Sequence, residues 1–341
     1  MNAIEAYGDK LYIGAAIPNF VFASWDKYSD LIMSNFNCYT CENEMKPEAI
    51  LDEEKSRNTL PSSYKHAAVK FDACAPVVKT ALTVGVKLRL HTLVWHSQTP
   101  DWFFTEDYTS GGAPVCREVM LCRMENYIKD VLAFFLEGYP DLIYAVDVVN
   151  EAFDRESGDE NGVRRDKNMW YQTVGSDYYY QALLFAHKYA GHSTKLFYND
   201  YSCMYKPDII LSNLKSAKKE GLLDGIGMQS HLSLTDNQEL YFAAMDKFAS
   251  EGYEIEVTEL DVGVKDADHE KLERQGEYYQ DLMDRIMSRR ESGTNISAVT
   301  VWGLSDHLSW RRGEHALLFD ENLNPKPAYY GFLRQYKKSE L

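Results

Sequence analysis

Short apolar runs recur along the chain, each followed by a window whose apolar positions repeat at three and four residues. The runs are 11–17 (LYIGAAI), 36–41, 86–95 (VKLRLHTLVW), 142–150 (LIYAVDVVN), 195–199 (KLFYN), 225–229 (GIGMQ), 253–259 (YEIEVTE) and 296–302 (ISAVTVW). They read as eight strands. The windows 63–84, 121–136, 177–189, 206–220, 238–250 and 270–289 have the apolar spacing of helices. Strands alternating with long helices build parallel βαβ units. Eight such units predict an α/β chain closed as a single-domain (β/α)8 TIM barrel over 1–341, with an open doubly wound sheet as the alternative. No linker, repeat or low-complexity tract divides the chain. The polar stretches 109–115 and 155–168 read as loops, and the second, long and charged, suits a loop bordering a site.

In such a barrel, catalytic groups stand where strands end. Nearly every predicted strand here ends in polar or aromatic residues. The second ends in Glu42, Asn43, Glu44 and Lys46, and the third carries His91, Trp95, His96 and then Gln98. Asn150 and Glu151 close the fourth, Asn199, Asp200 and Tyr201 the fifth, and Gln229 and His231 the sixth. Glu259 and Asp261 close the seventh and Trp302 the eighth. Glu151 and Glu259 stand out because each follows a β-branched apolar run. Acetal hydrolysis needs a proton on the leaving oxygen and a nucleophile or base at the carbon, and two carboxyl groups in different surroundings can divide those tasks. Glu259 and Asp261 share a strand face. A neutral imidazole at His231 could bond one carboxylate and be held by the other. Trp302 and Trp310 bracket 303–309, which suits walls of a pocket. Asp147, inside an apolar strand, reads as a paired structural charge.

Competing chemistries find less support. His91, His96, His231, Asp200 and Asp261 are potential metal ligands, yet His91 and His96 are five apart on a strand and face opposite sides. No HExxH spacing, G-x-S-x-G elbow, Walker A or dinucleotide fingerprint occurs. The expectation is no metal and no cofactor.

Composition narrows the partners. The 341 residues carry a formal charge of −16 at pH 7, which argues against nucleic acid and anionic membranes and is compatible with a neutral substrate. No apolar run approaches a membrane span. The opening MNAIEAYGDKLYIG has no basic n-region followed by an apolar stretch, so no secretory leader is expected in it. An extracellular enzyme whose leader is absent from this chain is expected, with the cytoplasm as the alternative, and a monomer. Six cysteines imply no disulfide framework in a chain this long, and Cys38–Cys41 has no second CxxC to complete a zinc site. The 13% aromatic content supplies flat faces of the kind that sugar rings stack on.

The segments CENEMK (41–46), HTLVWHSQTPDW (91–102), DVVNEAFD (147–154), FYNDY (197–201), GIGMQSHL (225–232), EVTELDV (256–262) and VTVWGLSDHLSW (299–310) resemble glycoside hydrolase family 10, the endo-β-1,4-xylanases. The resemblance runs in order through nearly the whole chain. It implies a retaining double displacement on β-1,4-xylan and xylo-oligosaccharides, with Glu151 as general acid/base and Glu259 as nucleophile. Such a pair stands about 5–5.5 Å apart. By the same matching, His231 and Asp261 orient the nucleophile and Asn150 bonds the sugar 2-hydroxyl. Lys46, His91, Trp95 and Gln229 line the cleaved-bond sugar, with Trp302 and Trp310 above it. Glu42, Asn43 and Gln98 hold the next sugar outward, and Tyr201 forms a wall beyond the cleavage point. Pro47 stands where many relatives carry Trp, and the motifs do not explain Arg311 or Arg312. The alternatives are a barrel glycosidase acting on β-glucan or mannan, a non-catalytic xylan-binding barrel, and a metal hydrolase.

Overall fold

The computed structural model describes residues 1–191 and 194–337. Among them are strands β1 (Tyr12–Ile17), β2 (Cys38–Cys41), β3 (Lys87–Trp95), β4 (Ile143–Asn150), β5 (Lys195–Asp200), β6 (Gly225–Met228), β7 (His231–Ser233), β8 (Glu254–Gly263) and β9 (Ile296–Val301). The chain folds as two compact units, one of 1–42, 201–207 and 226–341, the other of 43–200 and 208–225. In the first, β1 pairs in parallel with β2 and β9, and β8 pairs in parallel with β9 and β7. In the second, β4 lies parallel to β3 and β5. Taking β6 and β7 as halves of one broken strand, eight strands alternate with helices along the chain, the (β/α)8 order.

The strand sequences explain their burial. All of β4 except Tyr144 is buried, as expected for the near-continuous apolar run of a parallel strand covered on both faces. In β1, Gly14 allows an unusually close approach. A Cβ there would stand 2.4 Å from Thr300 Oγ1 and 2.9 Å from Cys38 Sγ. The helix Arg117–Gly138 turns Met124, Ile128, Val131, Leu132 and Phe135 inward at three- and four-residue spacing. The six cysteines are all free, and no helix among the described residues is long and apolar enough to cross a membrane.

A helix and a strand are broken where the sequence expectation had them continuous. The window 63–84 is helical only over Ala75–Val84, with Pro76 in its first turn. Proline lacks the N–H and crowds the preceding turn, so a helix can begin at this residue but not run through it. The sixth strand breaks at Ser230, whose φ of 69° lies in the left-handed region, and resumes as β7.

Candidate active site

Glu151 follows β4 directly and takes a φ of 56°, a backbone region that non-glycine residues adopt only when their surroundings hold them there. Trp95 Nε1 donates to its Oε2 at 2.9 Å, and Asn150 Nδ2 donates to Oε1 at 3.3 Å. Strand register brings these groups together. Trp95 pairs with Asn150 and Asn150 with Asn199, and Asn199 Nδ2 donates to Asn150 Oδ1 at 2.9 Å. The loop 155–168 supplies a residue that the sequence did not single out. Buried Arg164 donates from Nε to the Glu151 carbonyl at 3.0 Å and from Nη2 to Asp154 at 3.1 Å. It thus fixes the strained turn.

Beneath this rim, Asp147 is an ion-paired buried charge, as its apolar strand context suggested. Arg89 is its partner through Nη2 and also through Nε at 3.2 Å, and His91 Nδ1 lies 3.0 Å from Asp147 Oδ2. Burial alone would push the Asp147 carboxyl up, but Arg89 and His91 outweigh it and hold it below the usual value. Lys46 is buried and donates to Gln98 Oε1 at 2.8 Å and Asn43 Oδ1 at 3.1 Å, with its ammonium 4.9 Å from the Trp95 ring centroid. Asn43, Lys46, Trp95 and Gln98, chosen from separate motifs, therefore form one cluster.

The other unit carries the second glutamate. Glu259 lies inside β8 rather than at its end, where the β8–β9 pairing slips between Val257 and Leu260. Such irregularities re-aim side chains beside active sites. Its backbone N–H donates to the Gln229 carbonyl at 2.8 Å. His231 bridges two carboxylates, with Nε2 3.2 Å from Glu259 Oε2 and Nδ1 2.9 Å from Asp261 Oδ2. The β7–β8 register pairs His231 with Asp261. Burial would lower the imidazole, but Asp261 and then Glu259 raise it to about 10. The ring is therefore a cation at neutral pH and donates from both nitrogens, not the neutral imidazole expected from the sequence.

Trp310 Nε1 donates to Asp261 Oδ2 at 2.9 Å, and its ring meets His231 edge-on with centroids 4.9 Å apart. Trp310 is 55% exposed, whereas Trp302 is buried, its ring centroid 6.4 Å from that of His231. Arg311 donates to Asp261 Oδ1 at 2.7 Å. In the same unit, the Lys206 ammonium sits 4.0 Å from the centroid of the Tyr201 ring. Glu42 follows β2 and is half-buried. Among the described residues, no group of three or more His, Cys, Asp or Glu is arranged to hold a metal.

A (β/α)8 chain that carries one glutamate directly after β4 and another in β8, each bonded by a ring nitrogen, has the strand-end groups of a barrel enzyme. The model of glycosyl hydrolase family 10 matches residues 1–335, and the chain belongs to that family. An endo-1,4-beta-xylanase B of Butyrivibrio fibrisolvens is 38% identical over 345 residues, covering 98% of this chain and 53% of the relative. The chain thus spans about half the length of that relative. Among solved structures, the N-terminal endo-1,4-beta-D-xylanase 10B modules of Clostridium thermocellum, complexed with xylohexaose, superpose with a TM-score of 0.88 at 32% identity. That match covers 97% of this chain and 66% of the other. An intracellular xylanase of Thermoanaerobacterium saccharolyticum, a mutant complexed with xylotriose, gives a TM-score of 0.84 at 34% identity, covering 96% and 97%. The fold is a (β/α)8 TIM barrel.

Proposed function

We propose that this chain is an endo-acting β-1,4-xylanase of the retaining type, a single (β/α)8 catalytic domain that works as a monomer without metal or cofactor. The observation that carries the reading is the contrast between the two glutamates. Glu259 faces the His231 imidazolium, and a cation favours the charged form that a nucleophile needs. Glu151 is held by an indole and an amide, neutral donors suited to a group that gives and then takes a proton. In the first step Glu151 protonates the departing sugar oxygen while Glu259 attacks the anomeric carbon. In the second, Glu151 deprotonates the water that releases the glycosyl-enzyme, so the anomeric configuration is retained. Asn150 serves the sugar 2-hydroxyl. Lys46, His91, Trp95 and Gln229 are assigned to the cleaved-bond sugar. Glu42, Asn43 and Gln98 take the next sugar, Tyr201 the leaving side, and Trp302 and Trp310 the roof. Relatives complexed with xylotriose and xylohexaose support the choice of polymer.

Reducing-sugar release should be high on xylan and low on β-glucan and mannan, with product anomers retained by NMR. Glu151→Ala and Glu259→Ala should each lose about 10²–10⁴-fold or more in turnover, and with an activated aryl xyloside azide should give the β-xylosyl azide in the Glu151 variant and the α-xylosyl azide in the Glu259 variant. Full xylanase activity in Glu259→Ala would overturn the reading. Binding of xylo-oligosaccharides without any product would instead make the chain a sugar-binding barrel, and loss of activity in EDTA a metal hydrolase. The extracellular assignment, with the cytoplasm as its alternative, is decided by whether native activity partitions to culture medium or to cells.

A further inference from the structure

We propose that Arg311 is a positioning residue for the nucleophile, acting through Asp261 and His231 on the direction in which Glu259 presents its carboxylate. The inference rests on the reading of Glu259 as nucleophile. The Arg311 side chain is only 16% exposed and has three separate anchors. Nη1 donates to Asp261 Oδ1 at 2.7 Å and to the Leu232 carbonyl at 2.7 Å, and Nε donates to Glu314 Oε2 at 2.8 Å. Leu232 directly follows His231. One guanidinium therefore ties together β7, which carries His231, and β8, which carries Asp261 and Glu259.

The space for this fork is made by Gly263. A Cβ there would lie 2.2 Å from Arg311 Nη2 and 2.6 Å from Glu314 Oε2. The neighbouring Arg312, equally unexplained by the motifs, is exposed and makes no hydrogen bond or ion pair among the described residues. The charges facing the fork form a line of alternating sign, from Glu259 through His231, Asp261 and Arg311 to Glu314, with Lys265 3.6 Å beyond. Trp310 Nε1 and the buried Tyr279, whose hydroxyl donates to the Ala316 carbonyl, complete the surroundings. Asp261 Oδ2 is shared by His231 and Trp310, so Arg311 holds the opposite oxygen and stops the carboxylate from turning. If Asp261 turns, His231 turns with it, and the bond from Nε2 to Glu259 is misdirected.

Arg311→Met, Arg311→Lys and Gly263→Ala are to be compared in the full chain, with Arg312→Met as the control. The measurements are kcat, KM and the acid limb of kcat/KM on an activated aryl xylobioside, together with thermal melting and an NMR titration of the His231 ring. In Arg311→Met, kcat should fall by about 10–100-fold with KM held within about twofold, because a misaimed nucleophile costs rate more than binding. Removing a cation from the line raises the proton affinity of the groups left in it, so the acid limb and the His231 midpoint should both move up by about half a unit or more. Lysine restores the charge without the fork, so Arg311→Lys should recover the acid limb but not kcat. Gly263→Ala, which keeps the arginine charge but displaces the fork, should follow Arg311→Lys, with kcat lowered and the acid limb near wild type. Wild-type kcat and acid limb in Arg311→Met, or a change confined to melting temperature, would overturn the proposal. If Arg311→Met does not fold, Arg311→Lys and Gly263→Ala decide by the same criteria. If the unmodified chain turns over no xyloside, the functional reading fails by itself. The His231 titration then still decides the positioning role, for it by a shifted midpoint and against it by an unmoved one.

Discussion

Glu151 and Glu259 are one residue type placed in two settings, and the roles proposed for them rest on the difference between those settings. Trp95 donates a hydrogen bond to Glu151 at 2.9 Å. A hydrogen bond to a charged group is worth about 1.5–3 kcal/mol, so Trp95→Phe, which keeps an aromatic face but loses the donor, should lower kcat/KM on an aryl xyloside by about 10–100-fold. His231 is the counterpart at Glu259. Its proton affinity rises on folding, from the ordinary 6.5 to about 10. Below about pH 6.5 the ring is protonated folded and unfolded, and its stabilisation is complete. As pH climbs towards 10 the folded ring loses its proton and that contribution disappears. Urea unfolding should therefore show the advantage of wild type over His231→Asn to be largest near pH 6 and to shrink steadily through pH 9. An advantage that grew with pH would contradict the charged ring.

Among the elements, the breaks in regularity fall at or beside the residues proposed to act. Ser230 interrupts the β6–β7 run, the β8–β9 pairing slips beside Glu259, and the chain leaves β4 through the left-handed Glu151. The pairing of β3 with β4 depends on a buried charge as well as on apolar packing, because Arg89 on one strand meets Asp147 on the other. Asp147→Ala would remove the buried carboxylate that Arg89 and His91 share. The expected cost is about 3–5 kcal/mol in denaturant unfolding. Since Arg89 and His91 hold the Asp147 carboxyl below its ordinary 3.8, this stabilisation is present above about pH 4 and lost as acid protonates the folded form. Strand existence was legible from alternating apolar runs, and strand-end residue types marked the site. The helix start at Pro76 was also there to be read. The Ser230 break was not, because no residue nearby announces a left-handed backbone. Gly14 showed in the sequence only as a small residue. Its closeness to Thr300 and Cys38 predicts that Gly14→Ala costs about 1–3 kcal/mol by overpacking.

For the whole molecule, the charge of −16 sets the long-range field. A neutral polymer does not feel that field, whereas an acid-decorated one is repelled until salt screens it. On the xylanase reading, KM for arabinoxylan should stay flat as sodium chloride is raised, and KM for glucuronoxylan should fall. A salt response shared by both polymers would place the effect outside electrostatics.

Local order along the chain was enough to reveal alternating strands and helices, the (β/α)8 class, and two glutamates standing among tryptophan, asparagine and histidine. Apolar periodicity and residue type are properties of neighbouring positions, so they can be read without coordinates. Apart from the pairing of His231 with Glu259 and Asp261, the partners of the buried charges could not be. Arg89 meets Asp147 across 58 residues, Arg311 meets Asp261 across 50, and Arg164 reaches Glu151 across 13. The cationic state of His231 depends on two carboxylates 28 and 30 residues away. Distant segments choose those neighbours when they pack, and once water is excluded the proton of His231 and the aim of each carboxylate follow from which charge comes to lie beside which.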